Sequence, residues 1–458
     1  MNKVLTLVLA LIHAALSCAS GQRDLCEIQV IERGSGWPVP LVTLKTTSNA
    51  LFHTDNAGRI AFDLPEFMGV ETWFSITSPG YGVKPDGFGS QGVRLTPLPG
   101  QKLTVEVERH ILAKRLGRLT GSGLFGESQQ LGYERDWKES GITGSDSVQN
   151  ALHNGKLFWA WGDTAVPRYP LGLFHMTGAL TSPQPLTSFE PPVQLAFDYF
   201  ADAKGSPRVV CEMAGSGPTW LSGCVSLPDN TGAQRLVGTY EKIRSKLDCY
   251  RAGLAVWNEE ERKFLHLSDL WRTTETDEEK PSTLPEGNVV MWKDDTGKEW
   301  ALFGDPFPRL KCPATFEAWS DPTTWEVLEP QTSLTSVDGE KVVPHRGAIA
   351  WNGFRKRWVT VFTQSFGNPS AFGELWYAEA DSALGNWGTA VKILTHPHYS
   401  FYNPRLHPNF TPSDSPILLF EGTYSMTFSK TNTPTPRYDY NQILYRLDLD
   451  DPALANAR

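Results

Sequence analysis

The fold is decided by the stretch Gly144-Ser-Asp146-Ser-Val-Gln-Asn-Ala-Leu-His-Asn154-Gly155-Lys-Leu-Phe-Trp-Ala-Trp161-Gly-Asp163-Thr164. Asn-Gly is a favoured two-residue hairpin turn, so the runs on either side of it predict two antiparallel β-strands. Asp146 lies near the start of the first strand, and Asp163 lies just past the end of the second. Antiparallel pairing brings such ends together, so we expect these two carboxylates to face one space.

The same pattern recurs four more times along the chain, at residues 217–242, 286–305, 345–364 and 402–424. Each unit is followed by a third predicted strand that often carries an aromatic residue, such as Gly253–Trp257 or Phe316–Trp319. Repeated antiparallel units of this length are typical of a β-propeller. The sequence therefore predicts a five-bladed propeller over residues 140–452.

Composition supports an all-β chain and excludes some partners. Of 458 residues 40% are hydrophobic, with 16 Trp and 13 Tyr for a core and 40 Gly and 33 Pro for turns. A net charge of −9 without a basic cluster argues against nucleic acid or an anionic membrane surface as partner. No stretch is long and apolar enough to predict a transmembrane helix.

The amino terminus has the charged start, short apolar run and small-residue exit of a secretory signal peptide, residues 1–20. We expect a secreted or periplasmic protein. Lipid attachment at Cys18 is less favoured, because Ala15-Leu16-Ser17 fits a lipoprotein box poorly. Five cysteines would then remain, and a disulfide among Cys211, Cys224 and Cys249 is one expectation. No pair of cysteines has the C-x-x-C spacing that would indicate a zinc site.

Residues 24–110 differ in kind, since they predict a small β-sandwich. The Pro38-Val-Pro40 turn into a strand, followed by Thr54-Asp55-Asn-Ala-Gly58 and another strand, resembles the carboxypeptidase regulatory-like, transthyretin-type domain. This resemblance implies an accessory role. The Gly-rich residues 111–139 are expected to connect the sandwich to the propeller. The predicted fold class is thus all-β, a five-bladed β-propeller preceded by a small β-sandwich.

In each of the five units, the first strand starts with a different kind of polar group. A repeated fold by itself would need only similar residues at these equivalent positions. The groups are Asp146, Trp220 with Ser222, Glu286, His345 with Arg346, and Asn403 with Arg405. Innermost propeller strands line the central channel, so we expect these groups to meet at one mouth. The alternative is a solvated funnel. For Asp163 a turn-capping role is equally open, because Gly-Asp recurs at residues 304–305.

A pair of carboxylates with aromatic platforms is what glycosidic cleavage requires. The five units, and the strand Leu375-Trp-Tyr-Ala-Glu-Ala-Asp381-Ser-x-x-Gly-x-Trp387, resemble the five-bladed propeller glycoside hydrolases of the arabinanase and fructosidase group. The patches around Asp146 and Asp163 look most like the domain-of-unknown-function branch that contains endo-D-arabinanases. The resemblance implies a catalytic Asp146 with Asp163 as companion, and Glu286 as the acid.

The sequence departs from that family where Trp220-Leu-Ser222 stands in place of a pKa-modulating Asp. Asp305 or Glu421 are candidates for the missing carboxylate, and Glu241 and Arg244 for a contribution from the second unit. The residues expected to bind sugar are Trp220, His345, Arg346, Asn403 and Tyr424.

Three further interpretations stay open at this point. His345 or His407 would help hold an axial calcium, as in some of those enzymes, but a single His is more often an ordinary hydrogen-bonding residue, so no cofactor is predicted. The charged loop Thr273–Lys280 is expected to be solvated rather than functional. Residues 434–441 either rim the pocket or close the fifth unit.

The predicted function is hydrolysis of a polysaccharide or oligosaccharide by a secreted glycoside hydrolase. The competing hypothesis is a non-catalytic carbohydrate-binding or cell-surface scaffold protein. A weaker hypothesis is a polysaccharide lyase. Such an enzyme needs a base and a group that neutralises the carboxylate of a uronate, instead of a pair of carboxyl groups.

Overall fold

The computed structural model describes residues 25–173, 175–275 and 278–457. The predicted signal peptide and Cys18 lie outside these ranges. The chain is almost entirely β, with a small sandwich followed by a propeller, which confirms the predicted fold class. Within the described ranges, no helix has the length and apolar character needed to cross a membrane.

The sandwich consists of two four-stranded sheets, with strand orders β4-β1-β8-β6 and β3-β2-β5-β7. The strands are β1 (Cys26–Glu32), β2 (Thr43–Thr46), β3 (Leu51–His53), β4 (Arg59–Phe62), β5 (Thr72–Thr77), β6 (Tyr81–Gly82), β7 (Gly92–Leu95) and β8 (Lys102–Arg109). Alternate residues such as Ile28, Val30, Leu44 and Ile76 are buried between the sheets. The relation to the transthyretin type stays a prediction.

A connecting segment follows, with strand β9 (Lys114–Arg118) and helix α1 (Gly126–Gln130). The propeller then begins with a small sheet of three strands, β10 (Gly144–Ser145), β13 (Thr164–Val166) and β14 (Tyr169–Leu173). The first large sheet has the strands β11 (Gln149–His153), β12 (Lys156–Trp161), β15 (Met176–Thr181), β16 (Asp198–Tyr199) and β17 (Val209–Cys211). The second has β18 (Thr219–Pro228), β19 (Gln234–Arg244), β20 (Asp248–Asn258) and β21 (Lys263–Arg272).

The third sheet contains β22 (Asn288–Lys293), β23 (Glu299–Gly304), β24 (Pro308–Pro313) and β25 (Glu326–Val327), with helix α2 (Phe316–Ser320) before its last strand. A separate hairpin, β26 (Leu334–Thr335) and β27 (Lys341–Val342), precedes the fourth sheet. That sheet contains β28 (Pro344–Asn352), β29 (Arg357–Gln364), β30 (Glu374–Ala380) and β31 (Val391–Thr395). The fifth contains β32 (Ser400–Leu406), β33 (Ile417–Ser425) and β34 (Asn441–Asp448).

One predicted strand was wrong. Phe316–Trp319 was expected as the third strand of its unit, but this segment is helix α2, and β24 is the third strand. The helix forms because the Thr315 side chain caps it, accepting a hydrogen bond from the Ala318 N–H at 3.3 Å. Its buried Trp319 packs into the core beneath the third sheet.

The five innermost strands, β11, β18, β22, β28 and β32, contact one another in chain order. Hydrogen bonds from the guanidinium of Arg405 in β32 to the side chain and carbonyl of Asn150 in β11 close the ring. At their outer edges the first two sheets are joined, because β17 pairs with β21. The arrangement places the starts of the innermost strands around one channel mouth, as the sequence predicts.

The outer strand of the fifth sheet is β9, which pairs antiparallel with β34. The segment expected only to connect the two domains therefore also completes the propeller and covers the edge of its last sheet. Arg115 of β9 donates to the carbonyls of Pro40 and Pro79 at 3.0 and 2.9 Å, which ties the sandwich to the same sheet.

All five cysteines in the described ranges are free, so the expected disulfide is absent from this structure. Cys211 and Cys224 are buried in one hydrophobic cluster and pack there as small apolar side chains. Burial raises the pKa of the Cys224 thiol to about 12. These thiols are therefore protonated and unreactive at neutral pH.

Candidate active site

A cavity of about 280 Å³ opens at the channel mouth. It is lined by residues from all five sheets and from the segment between the second and third sheets. The lining residues that bear polar side chains or an indole include Asp146, Trp220, Ser222, Glu241, Lys280, Glu286, Asp305, Arg346 and Asn403. Two carboxyl-centred clusters stand in this space, one around Asp146 and one around Glu286.

Asp146 is held between strands β10 and β11. Its backbone carbonyl accepts from the Gly162 N–H at 2.8 Å, and Tyr402 donates its hydroxyl to Oδ2 at 3.0 Å. The Tyr440 hydroxyl also hydrogen-bonds this carboxyl. Burial, then the charge of Asp163, raises the pKa of Asp146 to about 7, although these hydrogen bonds oppose the rise. Asp146 can therefore exchange a proton near neutral pH.

Asp163 lies beside Asp146 but does not line the cavity. It accepts a hydrogen bond on Oδ1 from the Trp220 indole N–H at 3.0 Å, and burial raises its pKa. Its negative charge acts on Asp146 across the short gap between them. The hairpin brings the two carboxylates close together as expected, but only Asp146 lines the cavity, and Asp163 links the first sheet to Trp220 of the second.

The backbone on both sides of Glu286 is fixed by the second sheet. The Gly287 N–H donates to Ser222 Oγ at 2.8 Å, and the Gly223 N–H donates to the Gly287 carbonyl at 3.1 Å. The Thr239 hydroxyl donates to the Pro285 carbonyl at 2.7 Å. Because the neighbours on either side are anchored, the Glu286 side chain projects from a rigid position.

Glu286 shares one cation with Glu241. The Lys280 ammonium lies 2.5 Å from both carboxyl oxygens of Glu286 and is also bonded to Glu241. Two carboxylates and one ammonium leave one excess negative charge in a largely desolvated place, so uptake of one proton is favoured. Burial, then repulsion by Glu241, raises the pKa of Glu286 to about 8, although Lys280 opposes the rise.

The expectation that Thr273–Lys280 is only a solvated loop is wrong at its last residue. Lys280 lines the cavity, and its side chain is 18% exposed. Of the described residues of this loop, Thr274, Glu275, Glu278 and Glu279 are exposed and Thr273 is buried, whereas Lys280 pairs with two carboxylates of the site. Nothing in the sequence pattern separates this lysine from an ordinary surface lysine.

The remaining wall is formed by Asp305, Arg346 and Asn403. Arg346 donates to Asp305 Oδ2 at 2.9 Å, and the Gly347 N–H donates to Oδ1 at 2.6 Å. Both oxygens of this carboxylate are therefore already paired with donors. Asn403 has a left-handed φ of 50° and donates its amide to Ser147 Oγ at 2.6 Å. Asp305 thus stabilises Arg346 and is poorly placed to supply a missing acid or base.

Besides Asp163, four residues expected at the site do not line the cavity. Arg244 pairs with Asp248 at 2.5 Å, and the His345 ring packs on Phe372 with centroids 4.5 Å apart. Glu421 is fully buried beside His407, and Tyr424 is buried in a stack on Tyr399. Glu421 and Tyr424 therefore contribute to the core of the fifth sheet, and the structure does not place them in contact with a sugar.

The channel below the cavity is crossed by Arg405. Its guanidinium binds Asn150 of β11 and Asn288 of β22, so three of the five innermost strands meet at this buried cation. His407 lies next to it, with Nε2 2.8 Å from Glu421 Oε1 and Nδ1 3.1 Å from Asn150. The described residues include no group of three His, Cys, Asp or Glu side chains arranged to hold a metal ion.

These residues do not fit an axial calcium ion. Calcium needs six to eight oxygen ligands, whereas this position holds a guanidinium whose positive charge repels a second cation. His345, the other expected calcium ligand, packs on Phe372 away from this point.

Gly162→Ala is expected to impair the site while leaving the backbone unstrained. A Cβ at Gly162 would lie 2.3 Å from Asp146 Oδ1, so the carboxyl must move. A displacement of this kind costs roughly 10²-fold in turnover. Gly87→Ala is the matched control, because its Cβ would meet nothing within 4 Å. Unchanged turnover in Gly162→Ala, measured on any substrate the wild type cleaves, would show that the position of Asp146 is unimportant.

No protein-family model matches the chain, and no curated protein matches it. Solved structures do resemble it. An exo-1,5-α-L-arabinanase from a bovine ruminal metagenomic library is 10% identical, with 68% of this chain and 94% of that chain covered and a TM-score of 0.37. A putative exo-β-1,3-galactanase from Bifidobacterium bifidum is 10% identical, with 66% and 87% covered and a TM-score of 0.40.

An N-acetylgalactosamine deacetylase from F. plautii is 11% identical, with 68% of this chain and 91% of that chain covered and a TM-score of 0.38. The solved structures that resemble this chain thus include arabinanase-type and galactanase-type glycoside hydrolases together with an enzyme of a different reaction. At these identities and TM-scores, the resemblance does not extend to the activity of this chain.

Proposed function

We propose that this chain is an exported glycoside hydrolase that cleaves a polysaccharide, with Asp146 and Glu286 as its reacting carboxyl groups. The observation that carries the proposal is the pair itself: Asp146 of the first unit and Glu286 of the segment before the third sheet line one cavity, and the pKa of each is raised to the neutral range. Perturbed carboxyl pairs in a cleft are typical of catalytic sites.

Glu286 has the higher pKa and is the proton donor in this proposal. It gives its proton to the glycosidic oxygen as the bond from that oxygen to the anomeric carbon breaks. The carboxylate left behind is stabilised by Lys280, which already contacts both of its oxygens. Glu241 keeps the proton on Glu286 before the reaction, because a second negative charge beside it disfavours ionisation.

Asp146 acts as the base in this proposal. Its carboxylate takes a proton from a water molecule, and the water oxygen bonds to the anomeric carbon. The hydroxyls of Tyr402 and Tyr440 orient the carboxylate, and the charge of Asp163 makes it more basic. Trp220 and Asn403 line the same cavity and are placed to contact the sugar.

The arrangement favours hydrolysis over a lyase reaction. A lyase needs a free cation to neutralise the carboxylate of a uronate. Among the described residues that line the cavity, the cationic side chains are Lys280 and Arg346. Lys280 is bound to two glutamates and Arg346 to Asp305, so neither is free for this role.

The proposal is tested by measuring reducing-end release from a panel of plant, algal and bacterial polysaccharides. Wild type is compared with Asp146→Asn and Glu286→Gln, and Asp295→Asn in the exposed β22–β23 turn is the control. Release that is lost in the two site variants and kept in the control supports hydrolysis. Binding without release, unaffected by either site variant, would move the protein to the scaffold hypothesis.

The dependence of kcat/KM on pH is expected to be bell-shaped. Asp146 must be ionised, so activity rises as pH increases through about 7, and Glu286 must be protonated, so activity falls as pH increases through about 8. Asp163→Asn removes a negative charge and should shift the acidic limb to lower pH. A profile with no alkaline limb up to about pH 10, near the pKa of free lysine, would contradict the role of Glu286.

A further inference from the structure

A row of three phenylalanines lies at the same end of the propeller as the cavity. Phe366 and Phe372 are in the loop between β29 and β30, and Phe428 is in the loop between β33 and β34. The ring centroids of Phe366 and Phe372 are 5.7 Å apart, and those of Phe372 and Phe428 are 5.9 Å apart. Phe366 is 81% exposed and Phe428 is 57% exposed, which is unusual for residues of this size.

The row adjoins the candidate active site at Phe428 and Phe372, and Phe366 lies beyond Phe372. The Phe428 ring packs edge-on against Tyr402 at 5.8 Å, and the Tyr402 hydroxyl donates to Asp146. Phe372 packs on His345, whose neighbour in the chain, Arg346, lines the cavity. Two of the three rings therefore pack on residues at the rim of the cavity, on the side of the fourth and fifth sheets.

Phe366 and Phe428, which carry the two outer rings, have a backbone conformation that is unfavourable for phenylalanine. Phe366 has a φ of 52° and Phe428 a φ of 62°, in the left-handed region that bulky residues rarely adopt. The Phe428 loop is held in this form, since the Met426 N–H donates to Asp439 Oδ1 at 2.7 Å and the Ser429 hydroxyl donates to the Met426 carbonyl at 2.6 Å. Exposed aromatic rings on a fixed loop are a preformed surface.

We infer that Phe366, Phe372 and Phe428 bind the sugar rings of a polysaccharide chain outside the cavity. This inference rests on the proposed function and extends it. Sugar rings have apolar C–H faces that pack on aromatic rings, while their hydroxyl groups at the edges stay hydrated. The row extends the site in one direction over consecutive rings, which matches a linear chain of sugar units. The enzyme is therefore adapted to a polymer and gains little affinity from a short substrate.

The test compares Phe366→Ala/Phe428→Ala with Phe88→Ala, a matched control because Phe88 is 97% exposed on the sandwich. The probes are soluble arabinan, galactan and xylan, and an aryl glycoside of the sugar released by the wild type. We expect kcat/KM on the cleaved polymer to fall roughly tenfold, from two lost stacking contacts, with the aryl glycoside unaffected. Equal losses on both substrates would overturn the inference.

A second readout separates this inference from the proposed function. The same phenylalanine substitutions are placed in the Asp146→Asn background, and retardation in gels that contain each polysaccharide is measured. Retardation that is weakened by the double substitution but not by Phe88→Ala supports the binding surface even if the wild type cleaves nothing. Retardation by none of the three polysaccharides, or retardation unchanged by the double substitution, would overturn it.

Discussion

Asp146→Asn is expected to lower kcat on a cleaved polysaccharide by roughly 10²–10⁴-fold, the usual contribution of a general base. The amide has nearly the shape of the carboxyl and can still accept the hydrogen bond from Tyr402, so the site keeps its form. It cannot take a proton from water. Initial rates of reducing-end release measure the effect, with Asp295→Asn as the control for an exposed aspartate. Turnover within twofold of the wild type would remove Asp146 from the mechanism.

The same substitution is expected to stabilise the protein at alkaline pH. The pKa of Asp146 is raised from 3.8 to about 7, so between these values the native state holds a proton that the unfolded state has released. Stability of the wild type therefore falls as pH rises through this window, by on the order of a few kcal/mol. Asparagine has no such ionisation. The midpoint temperature of thermal unfolding should be higher for Asp146→Asn than for the wild type near pH 8, and similar for the two proteins near pH 4. A lower midpoint temperature for the variant at both pH values would contradict the assigned pKa.

The loss of cleavage rate in Glu286→Gln is expected to depend on the leaving group of the substrate. A natural glycosidic oxygen needs a proton as its bond breaks, so polysaccharide cleavage should fall by roughly 10²–10⁴-fold. A nitrophenyl leaving group departs without protonation. The rate of hydrolysis of the nitrophenyl glycoside of the same sugar should therefore fall much less. The alkaline limb of the pH profile should also disappear, because it reports this group.

The comparison that decides this prediction is between the two carboxyl variants. Asp146→Asn should lose activity on both substrates, because water must be activated in either case. Glu299→Gln, which removes an exposed surface ion pair with Lys293, controls for a change from Glu to Gln. Equal losses on the two substrates in Glu286→Gln would show that this residue is not the proton donor.

Much of the propeller could be predicted because its signals are local. Asn154-Gly155 and the comparable turns of the other units each specify a hairpin within a few residues, and the strands on either side show their β-formers directly. The pairing of β9 with β34 could not be predicted in this way, since it joins segments that are far apart in the chain. Helix α2 was also missed, because a short aromatic run has no clear period.

The candidate site was predictable only in part. Asp146 and Glu286 were found because the starts of innermost strands meet at one mouth in any propeller. Lys280 was missed, and Tyr440 was foreseen only as part of residues 434–441, because the course of long loops is set by tertiary contacts such as that between Lys280 and Glu241. The pairing of β32 with β33 shifts between Tyr402 and Arg405, which decides which of their side chains face the channel. An irregularity of this kind leaves no reliable trace in sequence, and Glu421 and Tyr424 of β33, expected at the site, lie buried away from the cavity lining.

In the proposed mechanism, water cleaves a glycosidic bond in the cavity that holds Asp146 and Glu286. Mass spectrometry of the products formed in water enriched in the heavy oxygen isotope tests this step. We expect one heavy oxygen at each new reducing end, and no product with Asp146→Asn. Unlabelled products with the ultraviolet absorbance of an unsaturated uronate would indicate a lyase instead, and polysaccharide that is bound but never cleaved would indicate a scaffold.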